Sequence, residues 1–196
     1  MVILSDVLEI INKFIMDIKE VAYHEAGHAV IGYLFFPPVE TTIISESNRF
    51  GNTIADIPLF IAEDEFLNEL FFPTEIMILL FSWAGEYFQR KISAEIVEGG
   101  LVVDTELLNT CFDKEQFETL VFFKEKILEF FFENKIIEKM VDAVAMELLI
   151  KKKLSHIEIH TILLKYKFDY DKYIEKIMDE YYLPICEKYK EILSTK

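Results

Sequence analysis

Residues 22–32 read AYHEAGHAVIG, and His24, Glu25 and His28 within them form the pattern His-Glu-x-x-His. Side chains four residues apart lie on one face of an α-helix, so His24 and His28 can each turn a ring nitrogen toward one ion. Glu25 sits about a quarter turn round the same helix, near enough to reach an activated water without taking a coordination place. Zinc lowers the pKa of its water toward about 7, and a carboxylate can then take the proton as the oxygen attacks a carbonyl carbon. The pattern predicts a hydrolytic zinc centre. Gly27 costs a helix roughly 1 kcal/mol relative to Ala, and its expected role is to let another stretch of chain approach closely. A centre of this kind needs a third protein ligand. Among 35 Asp and Glu residues, spacing alone does not choose it.

The remaining two histidines of the chain also lie four apart, in His156-Ile-Glu-Ile-His160. Here the glutamate occupies the wrong position for the zinc-peptidase pattern. Ser155 and Glu158 already form a capping box, serine at the cap and glutamate three residues on. His156 is expected on the surface in the first turn, and the pair is expected to bind nickel or zinc only adventitiously.

The elements that must carry these residues are mostly helical. Val7, Ile10, Ile11, Phe14 and Ile18 fall at spacings of three and four, which predicts a helix over 3–35 with a break near 17–20. Pro37 and Pro38 end it. Two β-branched runs near 39–44 and 53–57 flank Ser-Glu-Ser-Asn-Arg-Phe-Gly-Asn, a hairpin signal. Helix is expected again up to about Ile92, a loop at Gly99-Gly100, a helix from Asp104, and a long helical pattern from 115 to 150. The capping box opens a helix over 156–167, and a last one covers roughly 169–182. The expected fold class is mostly α (α+β), a single helical domain over 1–196 with one small hairpin or sheet inserted after the zinc helix. Trp83 and the phenylalanines at 71, 72, 122, 123 and 130–132 are expected in the core or in oligomer contacts.

Composition narrows the class further. A chain of 196 residues can bury a real core, and 52% hydrophobic residues, 18 of them Phe, exclude a disordered chain. The net charge of -15 disfavours nucleic acid and anionic lipid as partners. Cys111 and Cys186 are expected as reduced thiols. Acidic residues among the first twenty argue against a signal peptide there, and Pro73 and Glu75 break the most apolar region before it could span a membrane. A cytoplasmic protein is expected.

VAYHEAGHAVIGY resembles the zinc-peptidase module of the FtsH family, membrane-anchored, ATP-driven zinc metalloproteases. The likeness extends over roughly residues 20–165. The hairpin in PPVETTIISESNRFGNTIADI, the glycine-containing helix ILLFSWAGEYFQRKI and the segment GLVVDTELLNT follow in the family's order, and IEKMVDAVAMELLIKKKLSHIEIHTILLK resembles its helical tail. The resemblance implies that His24, His28 and Asp104 hold zinc and that Glu25 is general base and acid. It further implies that the strand near Gly51, Asn52, Thr53 and Ile54 offers its edge to an extended peptide. The chain departs from the family in having Leu101-Val102-Val103 before the aspartate and Gln89-Arg90 where a glutamate pair is common. No GxxxxGK[ST] occurs in these 196 residues. Residues 166–196, a helical extension, have no counterpart.

Three functions are compatible with these residues. The first is an ATP-independent zinc metallopeptidase acting on peptides or unfolded chains. The second is a weak or inactive peptidase-like binding or regulatory protein that keeps the zinc-site fold. The third makes the motif a coincidence. The oligomeric state, and association with an ATPase partner, stay open.

Overall fold

The computed structural model of the chain describes residues 2–45, 50–55, 74–93, 132, 134–177 and 179–180. It is mostly helical with one small three-stranded antiparallel sheet, the class expected. The first helix, α1 (Val2–Phe35), is continuous. The expected break at 17–20 does not occur, because Asp17, Ile18, Lys19 and Glu20 can all keep their places in the i→i−4 ladder. The helix ends just before the two prolines.

The hairpin follows. Strands β1 (Val39–Ser45) and β2 (Phe50–Ala55) pair antiparallel, with Thr41 opposite Thr53 and Ile43 opposite Gly51. Strand β2 starts three residues earlier than its β-branched run, at Phe50 instead of Thr53. Gly51 and Asn52, which local propensity assigns to the turn, are held in the ladder by Ile43 and Thr42. A third strand that the sequence did not announce, β3 (Lys153–Leu154), pairs with the other side of β1 and gives the order β2-β1-β3. Only two residues long, it is made by its partner and has no pattern of its own. Among the described residues β2 is therefore an edge of the sheet.

Three further helices bear on the site. Helix α2 (Thr74–Arg90) matches expectation. Helix α3 (Lys135–Lys151) starts at an Asn134 cap whose side chain accepts from the Ile136 N–H, so the 115–150 pattern is not one helix. The apolar spacing runs through Asn134, but its extended backbone ends any helical run there. Helix α4 (His156–Leu163) carries the predicted capping box, with both reciprocal bonds formed. It stops four residues short of expectation. A short α5 (Tyr170–Ile177) follows. The expected loop at Gly99-Gly100, the helix from Asp104, both cysteines and the end of the last helix lie outside the described residues.

The second half of α1 is the centre of the molecule. From Val21 to Ile31 every side chain except Tyr23 is buried, a helix surrounded on all sides. Helix α2 packs on one side, α3 on another and the hairpin on a third. Val39, Thr41 and Ile43, alternate residues of β1, are buried on one strand face. Tyr23 joins α1 to α3: burial and the neighbouring Asp142 carboxylate push its phenol up to about 12. Trp83 and Phe132 are core residues, as expected. No described helix is long and apolar enough to cross a membrane.

Candidate metal centre

His24 and His28 lie in this buried stretch, 5% and 4% exposed. At four-residue spacing both point from α1 toward α2, and their Nε2 atoms face each other at 3.1 Å. Two nitrogens on one tetrahedral zinc, each at 2.0–2.1 Å, stand about 3.3 Å apart. The other ring nitrogens are turned away. His28 Nδ1 lies 2.8 Å from the Phe81 carbonyl oxygen, which can only accept, so that nitrogen carries the proton. With Nδ1 engaged there, Nε2 is the His28 nitrogen that faces His24. His24 Nδ1 lies 3.1 Å from the side-chain amide of Gln89, with Oε1 nearest. Gln89 is fully buried, so this contact fixes the imidazole plane.

Glu25 projects about 100° round the helix from His24, toward the hairpin instead of α2. Thr53 Oγ1 donates to its Oε2 at 2.7 Å. A hydroxyl has one proton to give, so Thr41, whose hydroxyl lies 2.8 Å from that of Thr53, must be the donor in that pair. A chain of donors, Thr41 to Thr53 to Glu25, holds the carboxylate in place. Gly51 makes the approach of β2 possible: a Cβ there would overlap Glu25 Cγ and Oε1. Of the four residues expected to meet substrate, Gly51 and Thr53 thus face Glu25. Asn52 and Ile54 face outward, Ile54 being 62% exposed.

The space in front of the imidazoles is kept clear by a second glycine. A Cβ on Gly85 of α2 would come within 2.7 Å of His24 Nε2 and still closer to His28 Nε2. A methyl group would fill the position an ion needs. Gly27, whose role was expected to be close approach, meets α2 at the Ala84 carbonyl: a Cβ on it would lie 2.6 Å from that oxygen. Two converging ring nitrogens, a cradle without a side chain and a buried setting fit zinc. The third ligand expected, Asp104, lies outside the described residues. Among the described residues no group of three or more His, Cys, Asp and Glu forms a metal-holding cluster. Glu20, buried one turn before His24, does not complete one.

The second histidine pair departs from expectation. His156 is not a free surface residue: its Nδ1 accepts from the Val39 N–H at 3.2 Å, and Tyr33 packs beside its ring. It caps the start of β1, a contact across 117 residues that no local pattern announces. Sequence reasoning also missed Thr41, and it met Gln89 and Gly85 without their roles. The only signals for these were a glycine in an apolar helix and a glutamine where the FtsH-like pattern has an acid. Protein-family models, curated proteins and solved structures give no match to this chain. The likeness to the FtsH peptidase module rests on the motifs alone.

Proposed function

We propose that the protein is a zinc metallopeptidase that hydrolyses peptides or unfolded chains without ATP. The observation that carries this reading is the pair of buried Nε2 atoms 3.1 Å apart, each ring held from behind at Nδ1. Two ring nitrogens four residues apart on one helix, brought to that separation, match the spacing that two imidazoles take on one shared divalent cation.

His24 and His28 would hold the metal, with Asp104 as third ligand. The zinc would supply a Lewis acid that polarises a peptide carbonyl and makes water acidic near neutral pH. Glu25 takes the proton from the attacking water and passes it to the leaving amine. Thr53 keeps Glu25 pointed at that task through the hydroxyl bond. An extended peptide would lie along the edge of β2, bonding its backbone to the strand, which suits low sequence specificity. A cytoplasmic setting, and self-assembly or an ATPase partner that feeds unfolded chains to the groove, belong to the same proposal.

Protein purified without chelator is expected to contain stoichiometric zinc by elemental analysis. Glu25→Gln is expected to keep that zinc and to lose peptide or casein cleavage by about 10²–10⁴-fold in kcat. A wild type as inert as the variant over a broad peptide library would leave a binding protein on a peptidase scaffold. Absence of zinc from both would make the motif a coincidence.

A further inference from the structure

Glu25 is held from β2, and β2 is held from further back. The two β2 residues that face Glu25, Gly51 and Thr53, stand opposite Ile43 and Thr41 of β1. On the other side of β1 the C-terminal half of the chain holds those same two residues. The Ile43 N–H donates to the Lys152 carbonyl at 2.7 Å, and Thr41 pairs with Leu154. His156 takes the Val39 N–H at the start of the strand. Strand β1 is therefore placed by residues 152–156, far from the histidine pair of α1 in the chain.

A side-chain contact crosses from β1 toward Glu25. Thr41 is fully buried, and its hydroxyl lies 2.8 Å from that of Thr53. Thr53 Oγ1 reaches two acceptors on Glu25, Oε2 at 2.7 Å and the backbone carbonyl at 3.1 Å. Each hydroxyl has one proton, and a buried donor without an acceptor is costly. Both protons meet an oxygen when Thr41 donates to Thr53 and Thr53 donates to Glu25. That order follows from the two hydroxyls and holds whatever else the carboxylate touches. The bond from Thr41 takes one of the three directions open around Thr53 Oγ1, so it narrows where the Thr53 O–H can point, and it polarises that O–H.

We propose that Thr41 is a positioning residue for Glu25: its hydroxyl carries the placement of β1 through Thr53 to the carboxylate. The proposal rests on the peptidase reading above and deepens it, assigning part of the alignment of Glu25 to a residue two hydrogen bonds away. Rates are sensitive to such alignment, since a displacement of about 1 Å can cost on the order of 10²-fold.

The test compares Thr41→Ala with Thr41→Ser in the full chain. Both lose the methyl group, so the two variants differ only in the hydroxyl. Thr41→Ala is expected to lower kcat for peptide cleavage by about two- to tenfold. KM and zinc content are expected to stay within about twofold, and Thr41→Ser is expected to recover most of the rate. Unchanged kcat in Thr41→Ala overturns the proposal. Equal losses in both variants also overturn it, because packing would then account for the effect. A second readout, the carboxyl ¹³C resonance of Glu25, does not depend on cleavage. It is expected to shift in Thr41→Ala and to return in Thr41→Ser. A shift of that kind in a protein whose wild type cleaves no peptide would sink the peptidase reading and leave the positioning contact standing. A resonance that stays in place in both variants overturns the positioning role, whether or not the wild type cleaves. Thr41→Val, which keeps the buried volume, takes the place of Thr41→Ala should that variant fail to fold.

Discussion

The chain carries two pairs of histidines at the same four-residue spacing, each on a helix and each enclosing a glutamate. They do opposite things. In α1 the Nδ1 atoms meet Gln89 and the Phe81 carbonyl on α2, and the Nε2 atoms converge at 3.1 Å. In α4 the Nδ1 atoms meet the Val39 N–H and the Tyr33 hydroxyl, and the rings lie 6.3 Å apart between centroids and nearly parallel. The Nδ1 contacts decide the outcome. Partners behind the rings aim the first pair inward at one point, whereas the second pair is tied separately, His156 to the Val39 N–H and His160 to the Tyr33 hydroxyl. The enclosed carboxylates differ in the same way. Glu25 is 5% exposed and bonded by a strand hydroxyl. Glu158 is solvent-facing and closes a cap. Spacing sets the possibility of a site, and tertiary neighbours select the pair that realises it.

The sharpest way to break this comparison is to remove one imidazole from each pair. His24→Ala is expected to lower zinc affinity by more than the roughly 10- to 100-fold typical of losing an orienting partner, since a ligand itself is gone. His160→Ala is expected to leave zinc affinity and stoichiometry unchanged. Isothermal titration of both variants reads the contrast. Equal losses would mean that α4 shares in metal binding, and no loss in either would remove the α1 pair from the site.

What could be read from sequence divides along the same line. The α1 motif was legible because its three residues are neighbours on one helix, and so was the capping box, which needs only Ser155 and Glu158. The hairpin was legible from its β-branched runs. What stayed hidden depends on contacts between distant positions. Gln89 meets His24 from 65 residues away, and Thr53 meets Glu25 from 28 away. Strand β3 exists because Thr41 and Thr42 pair with it. His156 was misread as a surface residue because Val39, its donor, is nowhere near it in the chain. The long pattern before Asn134 misled because apolar periodicity continues across a residue that the backbone uses as a cap. Asp104, the ligand that only resemblance supplied, falls outside the described residues.

A smaller effect is expected from loosening Glu25 without removing it. Thr53→Val keeps the shape of the side chain and deletes the hydroxyl that bonds Oε2. A hydrogen bond to a charged group contributes about 1.5–3 kcal/mol, so kcat for peptide cleavage is expected to fall by roughly 10- to 150-fold. KM and zinc affinity are expected to stay within about twofold, because neither binding step depends on that bond. Thr53→Ser, which restores the hydroxyl, is expected to recover most of the rate. A Val variant with unchanged kcat would mean that Gly51 and the backbone hold the carboxylate unaided. Equal losses in Ser and Val would point to packing instead of the hydroxyl.

The smallest effect belongs to the other glutamate, and it concerns stability alone. The Ser155 backbone N–H bonds Glu158, with the Lys151 ammonium beside it, and together they hold its carboxyl down to about 2 against an ordinary 4.5. A carboxyl with a lower pKa in the folded state than in the unfolded chain stabilises the fold above the unfolded value. That contribution is lost as pH falls through the window from about 4.5 to about 2. Glu158→Gln is therefore expected to melt slightly below wild type at neutral pH, the gap narrowing as pH drops through that window. The side chain is 40% exposed, so solvent screens much of its pairing with Lys151, and added salt is expected to shrink the gap further. A gap that does not change with pH would assign the loss to capping geometry and not to charge. Zinc content is expected to be the same in both proteins, since Glu158 closes a helix end and faces no metal.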